Sequence, residues 1–196
     1  MVIKLTEPVL ERLGVPKVHW SARMSEIPAK CRHRATLSRY VTKIKDHVRA
    51  PLGLLLFGPY SSGKSAAAAI CLKAAAADGV IGFWTPAFNV PKWQIEKTIF
   101  DSELTVYDRC LTVPLLVIDE YQMRKDMKYT EDAVDTLVRS RIDDELCTII
   151  TTNHSPSSIS VARPAMFAAL QESLIPVKFE GHDFRRELAS QNKDRI

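Results

Sequence analysis

A chain of 196 residues, 46% apolar and 26% charged, can bury a core without disulfide or metal staples, and it falls outside the disordered, collagen-like and membrane-embedded classes. Its net charge of +4 is too small to establish an anionic partner. That charge is unevenly spread: residues 17–49 hold nine Lys or Arg against Glu26 and Asp46, which makes this stretch either a phosphate-facing surface or a solvated helix face.

In chain order, residues 4–13 predict a short helix ended by Gly14 and Pro16, and residues 15–35, with Pro16 and Pro28, an irregular wrapping segment. Leu37, Val41, Ile44 and Val48 share one helical face, so residues 36–49 are expected to form an amphipathic helix stopped by Ala50-Pro51. The continuous apolar run 52–57 predicts a strand buried on both faces. A helix follows from Gly63 to Ala77, closed by Asp78-Gly79, and then a strand from Val80 to Thr85. Further helices are expected over 91–108, 130–144 and 164–172, with strands over 115–120, 147–153 and 175–179. The alternation implies an α/β fold with a parallel sheet covered on both faces. The expected organisation is an N-terminal helix and wrapping segment over 1–35 and a core over 36–196. Ala66 to Ala77, the longest apolar stretch, is broken by Lys73 and too short to span a bilayer. Met1 to Pro8 is no signal peptide, and Cys31, Cys71, Cys110 and Cys147 show no metal or redox spacing. A cytoplasmic protein without membrane contact is expected.

Gly58, Gly63, Lys64 and Ser65 match G-x-x-x-x-G-K-[S/T] in full, between an apolar strand and an Ala-rich helix. Such a loop wraps phosphates with backbone N–H groups, and the following helix points its N-terminus at the anion. The expected nucleotide-binding residues are Gly58, Pro59, Tyr60, Ser61, Ser62, Gly63, Lys64, Ser65 and the adjoining Ala66, with ATP and Mg²⁺ as cofactors. Lys64 would reach the β- and γ-phosphates, and Ser65 would ligate Mg²⁺. Asp119 and Glu120 end the apolar strand 115–120: Asp119 could hold Mg²⁺ and contact the nucleotide site, and Glu120 could polarise a lytic water, or the two acids could simply cap the strand. Asn153 ends the strand 147–153, as a turn residue or as a sensor of the γ-phosphate. Lys64, Glu120 and Asn153 are the expected catalytic residues.

These elements in this order resemble the additional-strand AAA+ ATPases, and more finely the DnaC/DnaI/IstB group of replicative helicase loaders and transposition helper ATPases. The resemblance rests on Gly14-Val15-Pro16 with its wrapping segment, Gly58 to Ser65, Val117 to Glu120, Thr148 to Asn153, and the tail Phe179 to Arg185. It implies a P-loop NTPase with a five-stranded parallel sheet between helices and no separate lid domain. It implies ATP-dependent self-assembly into a homo-oligomer with shared nucleotide sites, binding of DNA (single-stranded for preference), and a replicative helicase or transposase as client. It also makes Arg185 a tail arginine near the nucleotide. The family's trans-acting arginines lie in the helix before the last strand, yet Ala165 to Leu170 contains none. Arg163, Arg141 and Arg139 are the candidates for that role. Only about thirteen residues precede the core, so client recognition is expected to use the leading helix, the core or a separate protein.

The leading expectation is therefore a helicase-loader-like ATPase acting in DNA replication, of the compact kind a phage or mobile element would encode. An IstB-type transposition helper shares the same core. A small-molecule P-loop kinase fits less well with Glu120 beside Asp119, and an ATP-gated module that barely hydrolyses would follow from a missing arginine finger. Trp84, Phe88 and Trp93 could stack bases or belong to the core.

Overall fold

The computed structural model describes residues 4–99, 105–123 and 128–180. Five strands form one parallel sheet in the order β2-β3-β4-β1-β5, where β1 is Gly53–Phe57, β2 Gly82–Pro86, β3 Leu115–Tyr121, β4 Cys147–Thr152 and β5 Leu174–Lys178. The described helices are α1 (Glu7–Arg12), α2 (Arg32–Thr42), α3 (Ile44–Arg49), α4 (Lys64–Ala77), α5 (Val90–Ile99), α6 (Val106–Thr112), α7 (Lys128–Asp143), α8 (Pro156–Ala162) and α9 (Pro164–Ser173).

Strand side chains alternate between two apolar layers. Leu54, Leu56, Leu115, Val117, Cys147 and Ile149 face a core shared with α4 and the N-terminal segment. Leu55, Leu116, Ile118 and Ile150 face one shared with α6, α7 and α9. Burial on both faces explains the unbroken apolar runs of the central strands. Each fully buried Leu or Ile contributes about 1.5–3 kcal/mol of transfer free energy. α4 is buried almost all round, and its alanines let it lie close against the sheet.

The topology places the site. The connection leaving β1 carries α4 and crosses over β4 and β3 to the far edge, whereas the one leaving β4 crosses β1 to the opposite edge. The two connections diverge between neighbours β1 and β4, which makes a crevice at the carboxyl ends of those strands. β4, inserted between β1 and β3, brings a third strand end into that crevice. On edge strand β2, Trp84 N–H donates to Leu13 O at 2.8 Å, so the N-terminal segment covers part of an otherwise open edge.

Three expectations need correction. The helix expected over 36–49 begins earlier and is two helices, because Lys43 takes φ −113° and ψ 25° and separates α2 from α3. The helix expected over 91–108 is also two, with Thr105 capping α6 through a reciprocal bond pattern with Asp108. α8 was not anticipated: its Ser-rich sequence carries little apolar periodicity, and only the N-cap Ser155 with Pro156 at its first turn marks it. Among the described residues no helix is long and apolar enough to cross a membrane.

Candidate nucleotide site

The loop from β1 to α4 turns on two glycines. Gly58 has φ +145°, and a Cβ there would lie 2.3 Å from Phe179 O, just beyond β5. Gly63 has φ +90° and is the N-cap of α4; with no side-chain oxygen to bond the first turn, it leaves that turn's N–H groups for another acceptor. Gly58→Ala is therefore expected to cost on the order of 2–3 kcal/mol of stability, from left-handed strain and a backbone clash that cannot relax cheaply, measurable by urea unfolding. An unchanged midpoint would contradict the close approach.

Lys64 turns back into the concavity of its own loop, donating to Gly58 O at 3.0 Å and Pro59 O at 2.7 Å. Burial pushes its pKa down to about 8, against the attraction of Asp119 and Glu120. All the hydrogen bonds found for this ammonium go to neutral oxygens, so an incoming phosphate meets a cation without a directly bound carboxylate.

A hydrogen-bonded chain joins the strand ends. Ser65 Oγ donates to Asp119 Oδ1 at 2.8 Å, Thr151 Oγ1 donates to the same oxygen at 2.6 Å, and Glu120 N–H donates to Thr151 Oγ1 at 2.9 Å. Burial raises the Asp119 pKa, and the hydroxyl bonds from Thr151 and Ser65 oppose that shift. Glu120 sits at φ +58° in a β-bulge: Ile118 pairs with Ile150 and Tyr121 with Thr152, so three steps along β3 oppose two along β4. The bulge leaves Asp119 and Tyr121 buried and turns Glu120 out of the sheet, exposed.

Lys64, Ser65, Asp119, Glu120 and Asn153 all line one cleft of about 850 Å³. The N-terminal segment also lines it, through Ala22, Arg23 and Ile27, as does His33, stacked on Phe179 with ring centroids 4.0 Å apart. Composition and periodicity did not reveal this wall; the signal was the pair of prolines and the absence of a regular pattern over residues 15–35. The donor set fits a Mg²⁺ nucleotide. It combines a glycine-lined loop at a helix N-terminus, an ammonium, and a hydroxyl and a carboxylate as hard oxygen donors, few enough to suit an ion that retains several waters.

The arginines divide. Arg141 is wholly buried, donating to Thr148 Oγ1 at 3.0 Å, Cys110 O at 2.8 Å and Cys147 O at 2.6 Å; burial lowers its pKa to about 10. It bridges α6 and β4 inside the chain and is out of reach of a neighbouring subunit, which removes it as a finger candidate. Arg163 is engaged in cis with Asp135, with Asp132 at 2.6 Å and with Glu131 at 3.7 Å. Arg139 is exposed on α7. Arg185 and the rest of the tail beyond Glu180 lie outside the described residues. Of the aromatics, Trp84 is 2% exposed within β2 and lines the cleft, Trp93 is half-buried with its ring 6.2 Å from Phe83, and Phe88, also at the cleft, is 56% exposed.

No family model matches this sequence, and no curated protein does. Solved structures do. A DnaC helicase loader superposes with a TM-score of 0.71 at 19% identity, over 84% of this chain and 100% of that one. DnaI gives 0.65 at 18%, over 86% and 93%. The chain shares its fold with the DnaC helicase loader and DnaI. Replication initiator DnaA, bound to AMPPCP and single-stranded DNA, gives 0.64 at 11% over 89% of this chain, which spans 55% of that longer chain. The strand order with β4 between β1 and β3 is the additional-strand AAA+ arrangement the resemblance implied, and the five parallel strands lie between helices as expected.

Proposed function

We propose that this chain binds and hydrolyses ATP as a helicase-loader-like AAA+ replication factor that assembles with ATP on DNA. The observation that carries the reading is the chain Ser65–Asp119–Thr151–Glu120, which ties the phosphate loop to the ends of β3 and β4. Mg²⁺–ATP, when bound, supplies an electrophilic γ-phosphoryl group and a metal that neutralises its charge. Lys64 and the α4 N-terminus hold the phosphates, and Ser65 with Asp119 holds the metal. Glu120, directed into the cleft by its bulge, accepts the proton of a water. Asn153 orients that water or the phosphate it attacks.

The cationic face supports DNA as partner. Arg32 and Arg39 on α2, Lys43 between the helices, and Lys45 and Arg49 on α3 are all exposed, while Leu37, Tyr40 and Ile44 are buried. A replicative helicase is the proposed client, by analogy with the loaders of like fold. A second reading, an ATP-gated module with slow turnover, is favoured by the engagement of Arg163 and Arg141 within their own chain. ATPase rate and solution mass, each with and without ATP and single-stranded DNA, separate the readings. The proposal expects ATP-dependent assembly and DNA-stimulated phosphate release. Assembly without turnover selects the gated module, and neither effect overturns both.

A further inference from the structure

Lys73 is the one cation inside the apolar run of α4, three turns beyond the phosphate loop, and it is only 8% exposed. It has no carboxylate within ion-pair distance among the described residues. Instead its ammonium donates to three consecutive-segment carbonyls: His19 O at 3.1 Å, Trp20 O at 2.9 Å, and Ala22 O. All three of its protons are thereby used, and all three acceptors belong to the N-terminal segment.

That segment has little regular backbone structure of its own. Between α1 and α2 it makes two single 3-10 turns, Lys17–His19 and Met24–Glu26. Yet it forms part of the nucleotide cleft, whose lining includes His19, Ala22, Arg23 and Ile27 together with the loop residues. Gly63 to Ala66, at the N-terminus of α4, line the same cleft. Val15, Ala22 and Ile27 pack the N-terminal wall into the apolar core beside α4, and Lys73 adds its polar fastening to the helix whose other end takes the phosphates. A lysine buried for packing alone would extend to the surface and hydrate its charge. This one is desolvated, which lowers its pKa, against the field of Glu26.

We infer that Lys73 is a positioning residue of the nucleotide site: it sets the distance between the phosphate loop and the N-terminal wall of the same cleft, where the base and ribose of a nucleotide held by its phosphates would lie, and so gives the site a preference for a whole nucleotide over a bare polyphosphate. The inference rests on the proposed nucleotide site. The phosphate loop is built from β1, its glycines and α4 and does not depend on the wall. The wall's contribution depends on where residues 19–22 are held.

The test compares two ligands, ATP and inorganic tripolyphosphate, each with Mg²⁺, by calorimetric titration of the full chain. Lys73→Met, which keeps the stem and removes the donors, is expected to raise the Kd for ATP about tenfold and to leave that for tripolyphosphate within about twofold. Lys73→Arg, which restores donors, is expected to recover part of the ATP affinity. Equal losses for both ligands, or none for either, overturn the inference. Hydrogen exchange of the unmodified protein gives a second reading that does not depend on the variant folding. Saturating ATP is expected to slow exchange over residues 19–27 as well as over the phosphate loop, and tripolyphosphate over the loop alone. ATP protection confined to the loop overturns the inference. Failure of the unmodified chain to bind ATP at all would instead overturn the proposed nucleotide site, so the two failures are distinguishable.

Discussion

Glu120→Gln lowers steady-state ATP turnover by about 10²–10³-fold while the Kd for ATP stays within about threefold of the parent. The expectation follows from where the bulge puts the side chain. Glu120 N–H remains bonded to Thr151 Oγ1 whatever the side chain, and the side chain itself is exposed in the cleft with no structural partner found for it among the described residues. Glutamine preserves volume and removes the ability to accept a proton. Binding is carried by other groups, namely Lys64, Ser65 and the loop. The measurement is a coupled phosphate-release assay beside a fluorescent-nucleotide titration. Equal turnover in parent and variant would show that Glu120 is no base, and a parallel collapse in binding would show that the bulge, rather than the chemistry, had been disturbed.

That bulge marks the boundary of what the sequence discloses. The phosphate loop was legible because its chemistry needs particular residue types at fixed spacing, and Gly58, Gly63, Lys64 and Ser65 leave little choice of geometry. The sheet was legible because Leu54 to Phe57 and Leu115 to Ile118 are apolar without interruption, and Cys147 to Ile150 is broken only by Thr148. That Asp119 points to Ser65 while the next residue faces the cleft was not, since a left-handed residue in mid-strand is set by pairing with Thr151 and Thr152 across the sheet. The arginines show the same limit. Arg141 and Arg139 are two positions apart on α7, but a helix turns about 200° over two residues, so one is sealed in the core and the other exposed. The wall over residues 16–27 has no periodicity at all, because its shape comes from what it packs on, His19 to Ala22 on Lys73, and from its flanks, Leu13 bonded to Trp84 and His33, at the start of α2, stacked on Phe179.

Lys64→Ala weakens ATP binding by about 100-fold, about 3 kcal/mol, through loss of charge-assisted bonds to phosphate. The pH dependence gives the more discriminating test. In the folded chain burial lowers the Lys64 pKa from 10.5 to about 8, despite Asp119 and Glu120 nearby. An unfolded chain binds the proton more tightly, so between pH 8 and 10.5 this residue makes the ligand-free protein more stable as pH rises. Nucleotide reverses the sign. A triphosphate against the ammonium favours the charged form, so the pKa rises on binding and, above pH 8, each binding event takes up a proton. The Kd for ATP should therefore be flat below about pH 8 and increase above it, by up to about tenfold per pH unit. Mg²⁺–ATP changes charge little in that range, so the slope reports the protein. Lys64→Ala should bind weakly with no such slope. Calorimetry of the parent in two buffers of different ionisation enthalpy at pH 9 counts the proton directly. A parent whose affinity is constant from pH 7 to 9.5, with no proton uptake, would show that Lys64 does not meet the phosphates.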